Sequence, residues 1–206
     1  MKMGRLLSLV VLSVLMWVCG SRCFGDGKEN PTTPGGMVSQ ELALGGSIPR
    51  PKDWKYESRE IGKTISQKLW EPIPGNDRLF ETSLTIDVVT NVRETGKQPS
   101  EFAEEYLNRL EQKGTVVRRY EPSERDGKIQ VSAVIDQNLK ITSVEKLYRV
   151  RYILESHEKT GLLFVISVGS PKNEWEKRLP TFKAMVAGLT LVDLSKARAA
   201  KPSEID

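Results

Sequence analysis

The closing stretch of the chain, GLLFVISVGSPKNEWEKRLPTFKAMVAGLTL at residues 161–191, decides the fold. Its first part, LLFVISVG, is apolar at nearly every position, which is typical of a strand covered on both faces. A Ser-Pro break follows, and Asn173 is the expected cap of a helix. The apolar residues of that helix recur at intervals of four, three and four: Trp175, Leu179, Phe182 and Val186. This stripe predicts a helix that packs against the sheet, with a short last strand after Gly188.

Upstream, mainly apolar residues alternate with polar ones in the segment RLFETSLTIDVVT at residues 78–90. A period of two predicts a strand with one buried face. The residues of that face are Phe80, Thr82, Leu84, Ile86 and Val88. The segment KTISQKLWE at residues 63–71 predicts the preceding strand. QPSEFAEEYLNRLEQKG, residues 98–114, has one apolar stripe and predicts an amphipathic helix that Ser100 caps and Gly114 ends.

Three further strands are predicted between the two helices: TVVRRYE at 115–121, KIQVSAVID at 128–136 and ITSVEKLYRVRYILES at 141–156. The turn HEKTG at 157–161 suits a hairpin into the closing stretch. Consecutive strands are thus joined by tight turns, and only two long helices interrupt them. The sequence therefore predicts an α+β domain with a mainly antiparallel sheet.

Several of these segments, in this order, resemble the PsbP/Mog1-like superfamily. The matching words are IPRPKDW at 48–54, SLTIDVVTN at 83–91, PSEFAEEYLNRL at 99–110 and the closing stretch. Members of that superfamily include the extrinsic PsbP proteins of photosystem II and bacterial exported proteins of unknown role. The resemblance implies an α/β/α sandwich, a central antiparallel sheet flanked by helices. It implies little about function, because related domains act as binding or assembly modules for unrelated partners.

The N-terminal residues predict export. Lys2 and Arg5 precede the apolar run Leu6–Val18, and small residues follow, which is typical of a signal peptide. The run is too short to span a bilayer. Neither Cys19 nor Cys23 follows a residue suited to lipid attachment. We therefore expect an exported protein of the periplasm or the extracellular space, with no membrane span and no lipid anchor.

The sequence predicts that the chain is divided into four parts. Residues 1–25 are the expected signal peptide, and residues 26–47, rich in Gly, Pro and Thr, are the expected flexible spacer. A single PsbP/Mog1-like domain is expected over residues 48–192, with a C-terminal tail at 193–206. Both cysteines lie in the leader, so the domain is expected to fold without disulfides.

The charge balance argues against nucleic acid as a partner. The chain holds 31 Lys and Arg against 27 Asp and Glu, a net charge of +4. Lys2, Arg5 and Arg22 lie in the leader, so the remaining chain is nearly balanced. Nucleic-acid-binding domains carry a strongly basic face or stripe, which this composition does not supply.

The residues needed for most catalytic sites are missing. His157 is the single histidine, and its place in the HEKTG turn predicts an exposed side chain unsuited to a Ser-His-Asp triad. Zinc sites built from Cys and His are excluded, and no glycine-rich nucleotide motif lies between a strand and a helix. We therefore expect no cofactor, no metal and no enzyme activity. A carboxylate-based hydrolase stays open only if a pair such as Asp87 and Asp136 meets across the sheet.

Four residues are candidates for binding. Arg149 and Arg151 point to one face of their strand, and either Arg118 or Arg119 is their expected neighbour. They either grip an anionic group of a partner or pair with acids on adjacent strands. Trp70 either plugs the edge of the sheet or stacks on a ligand. Trp175 either anchors the C-terminal helix in the core or contacts a ligand.

Two functions of different classes are consistent with these observations. The first is a non-catalytic exported module that binds another exported protein or a cell-envelope component through a sheet edge or loops. The alternative is a carrier of a small ligand, with a pocket between the sheet and the C-terminal helix.

Overall fold

The computed structural model describes residues 36–141 and 144–191, which form ten strands and two α-helices. The strands are β1 (Met37–Glu41), β2 (Gly46–Pro51), β3 (Lys55–Ile61), β4 (Thr64–Ile73), β5 (Asn76–Val89), β6 (Thr115–Arg125), β7 (Lys128–Leu139), β8 (Lys146–His157), β9 (Leu162–Pro171) and β10 (Thr190–Leu191). The helices are α1 (Pro99–Glu111) and α2 (Trp175–Ala187). Neither helix has the length and apolar character that crossing a membrane requires in this part of the chain.

The strands form two antiparallel sheets. Seven strands follow the order β3-β4-β5-β9-β8-β7-β6, and β1, β2 and β10 form a smaller sheet. The apolar stretch at the start of the closing segment is β9, which lies between β5 and β8 near the middle of the large sheet. This arrangement confirms the predicted α+β class with an antiparallel sheet.

Each face of the large sheet is covered by one helix, so two separate cores form. On one face, α1 packs against β7, β8 and β9. Its buried residues are Phe102, Tyr106, Leu107 and Leu110, against Ala133, Ile135, Val150, Tyr152, Leu154 and Val165. On the other face, α2 packs against β9 and β2. That core holds Trp54, Leu84, Ile86, Val88, Ile166, Val168, Trp175, Phe182 and Met185. The helices on opposite faces confirm the α/β/α sandwich.

A β-bulge changes the face that Phe80 occupies. Glu71 lies opposite Thr82 but Pro72 lies opposite Phe80, so Glu81 is an extra residue in β5. The predicted alternation is correct for Leu84, Ile86 and Val88, which are fully buried beneath α2. It is wrong for Phe80, because one inserted residue reverses the direction of the side chains beyond it. Phe80 lies instead on the α1 side, against Trp70 and beneath the ammonium of Lys68.

Three other local features differ from those predicted from the sequence. Residues 37–41 of the expected flexible spacer form β1, which pairs with β2 and buries Val38. Helix α1 begins at Pro99, and the Glu101 carboxylate accepts the Gln98 main-chain N–H at 3.1 Å, so Gln98 takes the capping position expected for Ser100. Asn173 is not a cap either, because a 3-10 turn at Lys172–Glu174 precedes α2.

Some predictions fall outside the described residues. The expected signal peptide at 1–25, the first part of the spacer and the C-terminal tail at 193–206 are among them. They stay predictions from the sequence.

Candidate functional site

Arg149, one of the predicted binding residues, is held by an internal ion pair. Its Nε and Nη2 atoms donate to Asp136 Oδ1 and Oδ2 at 2.7 and 3.0 Å across the β7–β8 ladder. Lys172 adds a second cation, with its Nζ atom 2.8 Å from Asp136 Oδ2. The guanidinium of Arg149 holds the pKa of Asp136 below its ordinary value, against the opposing effect of burial. Arg149 is therefore engaged within the fold, as the cross-strand alternative expected.

Arg151, two residues further along β8, has a different environment. Arg118 of β6 lies opposite Val134 of β7, and Val134 lies opposite Arg151, so the three side chains form one row on the same face. The guanidinium carbons of Arg118 and Arg151 lie 4.6 and 5.0 Å from the ring centre of Tyr120. We call the surface formed by Arg118, Tyr120 and Arg151 the arginine face.

The arginine face carries cations without compensating carboxylates. Within the described residues, neither Arg118 nor Arg151 forms an ion pair. Each guanidinium forms a cation–π contact with the ring of Tyr120 instead. The Nε atom of Arg151 is buried and has no hydrogen-bond partner. A buried guanidinium N–H without an acceptor is unfavourable, because it has lost its hydration without a replacement. This geometry suits an incoming carboxylate or phosphate oxygen.

The arginine face continues into a hollow further along the same strands. Ser123, Gln130 and Glu155 form the next row beyond Tyr120 and line a hollow of about 370 Å³ at the β6–β7 hairpin. At the other end of β6, Val116 and Val117 are 42 and 45% exposed, which is unusual for valine. Strand β6 is also the last strand of the seven-stranded sheet. This end of the molecule therefore combines cations, apolar side chains and a sheet edge.

Arg119, the other neighbour expected for the arginine pair, lies on the opposite face. A bulge at Val117 sets the register, and Arg119 donates to Asn108 and Glu111 of α1 at 2.8 and 2.7 Å and also pairs with Glu104. Arg119 therefore ties the edge strand to the helix. The sequence left Arg118 and Arg119 as equal alternatives, and the bulge decides between them.

The two tryptophan candidates take different places. Trp175 is buried in the α2-side core, with its ring centre 5.7 Å from that of Phe182. It is therefore the core anchor of the helix. Trp70 is half-buried on the α1 side of the sheet, with its ring centre 6.4 Å from that of Phe80. It lies near a cleft rather than in the core.

The cleft beside Trp70 was not predicted. It lies on the α1 side of the sheet, in the part that α1 leaves uncovered, and its cavity volume is about 50 Å³. Small residues line its floor, which consists of Ser83, Thr85, Ser167 and Gly169. Lys68, Phe80, Asp87 and Tyr148 are among the other lining residues. We call it the α1-side cleft. A polar residue inside the predicted β5 strand, Asp87, was the sequence feature that could have pointed to it.

Two opposite charges are buried in the α1-side cleft. Lys68 and Asp87 are only 6 and 4% exposed. Burial lowers the pKa of Lys68 to about 7, although the nearby Asp87 carboxylate opposes this. Burial raises the pKa of Asp87 to about 6, against a hydrogen bond from Ser66. Both groups thus change charge near neutral pH.

The pKa of Lys68 leads to a measurable pH dependence. Between pH of about 7 and 9 the free energy of unfolding should rise by roughly 1–2 kcal/mol more in the wild type than in Lys68→Met. In this range Lys68 is protonated in the unfolded chain and largely neutral in the folded one, so the unfolded state binds more protons and stability rises with pH. Asp87 is mostly ionised in both states there. Urea unfolding at several pH values checks this, and equal pH slopes for the two proteins would contradict it.

His157 is buried, contrary to the expectation of an exposed turn residue. It ends β8, its side chain is 8% exposed, and its Nε2 atom lies 2.7 Å from Glu155 Oε1. Its ring packs against Phe164, with ring centres 4.7 Å apart. Strand β8 extends one residue further than the sequence suggested, which draws His157 into the ladder opposite Leu162. In the described residues, its contacts are those of a packed strand residue.

The carboxylate pair considered for hydrolysis does not form. Asp87 lies opposite Ser66 and Val165, on the α1 side, whereas Asp136 lies opposite Arg149, on the α2 side. The sheet separates the two carboxylates, so they cannot act on one substrate. The alternative pocket between the sheet and α2 is also contradicted where it was expected, because Trp175, Phe182 and Met185 fill that space.

Comparison with known proteins adds likenesses in fold. No family model and no curated protein matches the chain. The Ran-binding protein Mog1p of Saccharomyces cerevisiae is 16% identical, with a TM-score of 0.45 over 77% of this chain and 97% of that one. A cyanobacterial PsbP from Synechocystis sp. PCC 6803 is 9% identical, with a TM-score of 0.45 over 84% of this chain and 98% of that one.

A Pseudomonas aeruginosa protein of unknown function is 14% identical, with a TM-score of 0.45 over 77% of this chain and 97% of that one. A PsbP structure and a Mog1 structure are thus both among those similar to this chain. These likenesses concern the fold alone.

Proposed function

We propose that this protein is an exported, non-catalytic binding module that docks an acidic segment of another exported or envelope protein on the arginine face. The observation that carries the proposal is the pair Arg118 and Arg151, which share Tyr120 and have no carboxylate partner in the described residues. Export enters the proposal from the predicted signal peptide.

Arg149 provides an internal comparison for Arg151. Both side chains project from the same face of β8, yet Arg149 has the carboxylate of Asp136 and Arg151 has none in the same part of the fold. Other described arginines also have acidic partners: Arg59 with Glu57, Arg109 with Glu105, Arg119 with Glu104 and Glu111, and Arg178 with Glu71. The lack of a partner at the arginine face is therefore local to that face.

Electrostatics favours an anionic group at this position. Two guanidiniums above one ring repel each other, and a carboxylate between them would replace this repulsion with two charge-assisted hydrogen bonds. Contact with the ring of Tyr120 holds the two guanidiniums in position before the partner binds. Arginine is suited to this role because its planar fork keeps several donors in a fixed geometry.

The surroundings favour a protein segment as the occupant. Val116 and Val117 directly precede Arg118 on β6, are exposed and offer apolar contacts that a free anion would not use. Beyond Tyr120, the hollow at the β6–β7 hairpin is lined by both charges, with Arg125 and Lys128 beside Asp126 and Glu155. A segment with acidic and apolar side chains complements this mixture. The near balance of charge outside the leader fits a discrete contact better than a nucleic-acid track.

A peptide-binding measurement tests the proposal. The probe is a fluorescein-labelled peptide that alternates glutamate and valine, and the readout is fluorescence anisotropy at low salt. The double variant Arg118→Gln, Arg151→Gln should raise the Kd by about tenfold or more, because it removes two charge-assisted contacts. Added salt should weaken binding to the wild type as well.

Arg109→Gln is the matched control, because Arg109 is 39% exposed on α1, which covers the opposite face of the sheet from the arginine face. Its Kd should stay within about twofold of the wild type, because Arg109 lies outside the docking surface. The proposal fails if the wild type does not bind the peptide, or if the double variant binds it as tightly. It also fails if a glutamine-valine peptide binds as tightly as the glutamate-valine peptide.

A further inference from the structure

The α1-side cleft contains a buried carboxylate oxygen without a partner. Asp87 projects from β5 into the cleft and is 4% exposed. Ser66, directly opposite on β4, donates a hydrogen bond to the carboxylate, but Oδ1 has no hydrogen-bond partner in the described protein. A buried acceptor without a donor is costly, so it marks a place where another group is accommodated.

A positive charge lies next to this carboxylate. Lys68 is two residues from Ser66 on β4 and lies opposite Thr85, so it is the diagonal neighbour of Asp87 on the same face of the sheet. Its ammonium lies 3.2 Å from the ring centre of Phe80. The cleft thus presents an anionic and a cationic group side by side, and each interacts electrostatically with the other.

The size of the cleft limits what can enter. A buried water needs roughly 10–15 Å³ of such volume, and covalently joined atoms lie closer together than waters, so a cavity of about 50 Å³ admits on the order of five or six non-hydrogen atoms. The floor of Ser83, Thr85, Ser167 and Gly169 carries no large side chain. Drug-sized ligands need several hundred Å³ and do not fit.

We propose that the α1-side cleft binds a small zwitterion, an α-amino acid of the size of glycine or alanine. Its ammonium group donates to Asp87 Oδ1, and its carboxylate faces Lys68. The serine and threonine hydroxyls of the floor supply further polar contacts. This site lies on the opposite face of the sheet from the arginine face, so the two proposals are independent.

Other small ligands match the cleft less well. A metal cation would have Asp87 and Glu81 as carboxylate ligands, but Glu81 is already paired with Lys146 and the ammonium of Lys68 would repel the ion. A small apolar molecule would leave Oδ1 of Asp87 without a donor. A simple anion would leave Oδ1 of Asp87 without a donor, and a simple amine would place a second cation beside the ammonium of Lys68.

The test is a calorimetric and NMR titration of the purified protein with glycine and L-alanine. A pH of about 6.5 is suitable, because Lys68 and Asp87 are then both largely charged. Glycine and L-alanine should bind and shift amide resonances of β4, β5 and β9. Acetate and methylamine should bind at least about tenfold more weakly, since each lacks one charged group. L-Phenylalanine should not bind.

Two variants locate the site. Asp87→Asn should weaken glycine binding by about tenfold or more, because the amide replaces the charge that faces the ammonium. Ser167→Val should weaken it by filling the floor. Asp126→Asn, at a side chain that is 83% exposed in the β6–β7 turn, is the matched control and should not change binding. Absence of glycine and L-alanine binding to the wild type, unchanged binding in a folded Asp87→Asn variant, or methylamine binding as tight as glycine binding would overturn the proposal.

Discussion

Replacing Phe182 with alanine is expected to lower the free energy of unfolding by about 3–5 kcal/mol, the range for a large aromatic residue removed from a packed core. Phe182 is 2% exposed on α2. Its ring centre lies 6.3 Å from that of Trp54, in an edge-on arrangement, and 5.7 Å from that of Trp175. Trp54 follows β2, so these three rings join the small sheet and α2 to the large sheet.

Urea unfolding followed by circular dichroism measures this effect. Lys183→Ala, at the next residue of α2, is the matched control because its side chain is exposed. It should change the stability by less than about 0.5 kcal/mol. Phe182→Leu should lie between the two, since it keeps part of the apolar volume. A loss below about 1 kcal/mol for Phe182→Ala would show that the three rings do not hold the layers together, contrary to our description of this core.

The elements of secondary structure could be predicted because their apolar residues repeat over many positions. Strand β9 is apolar on both sides and lies between β5 and β8 with a helix on each face. The stripe of α2 is correct at Trp175 and Phe182, which are buried. Leu179 and Val186 are only partly buried, and Met185 completes the core instead. The pattern gives the buried side of a helix, but the neighbours decide which residues along it are fully covered.

Features that depend on one inserted residue could not be predicted. The bulge at Glu81 moves Phe80 to the opposite face, and the bulge at Val117 decides that Arg118, and not Arg119, lies on the face of Arg151. A bulge changes the alternation without a strong sequence signature, because the same residues also fit a regular strand. The short strand β1 was missed for a related reason. Its alternation is brief, and the glycines around it resemble a linker.

The candidate site was predicted in part. The spacing of Arg149 and Arg151 correctly places both side chains on one face of β8. The sequence could not show that Asp136 lies opposite Arg149 and leaves Arg151 without a carboxylate, because that depends on the register between β7 and β8. The α1-side cleft depends on pairing between β4, β5 and β9, which are far apart in the chain. Long-range register therefore limits what the sequence alone predicts about both sites.

Replacing Asp136 with alanine is expected to lower the free energy of unfolding by about 2–4 kcal/mol, because it leaves two cations without their shared anion. Asp136 accepts from Arg149 Nε at 2.7 Å and lies 2.8 Å from Lys172 Nζ. Its side chain is 8% exposed and that of Arg149 is 19% exposed, so water replaces the lost contacts poorly. Lys172 is 46% exposed and contributes less, since its ammonium can return to solvent.

Two comparisons separate this ion pair from a simple loss of packing. Asp126→Asn removes the charge of a carboxylate that is 83% exposed in the β6–β7 turn and keeps a side chain suited to the left-handed backbone there, so it should leave stability nearly unchanged. The double variant Asp136→Ala, Arg149→Met should recover much of the loss, because it removes the uncompensated guanidinium together with its partner. The pKa of Asp136 is held down in the folded state, so the stabilisation is present above the unfolded pKa and declines as the pH falls through the folded one. If the double variant is as unstable as Asp136→Ala alone, the loss arises from packing around Asp136 and the ion pair contributes little.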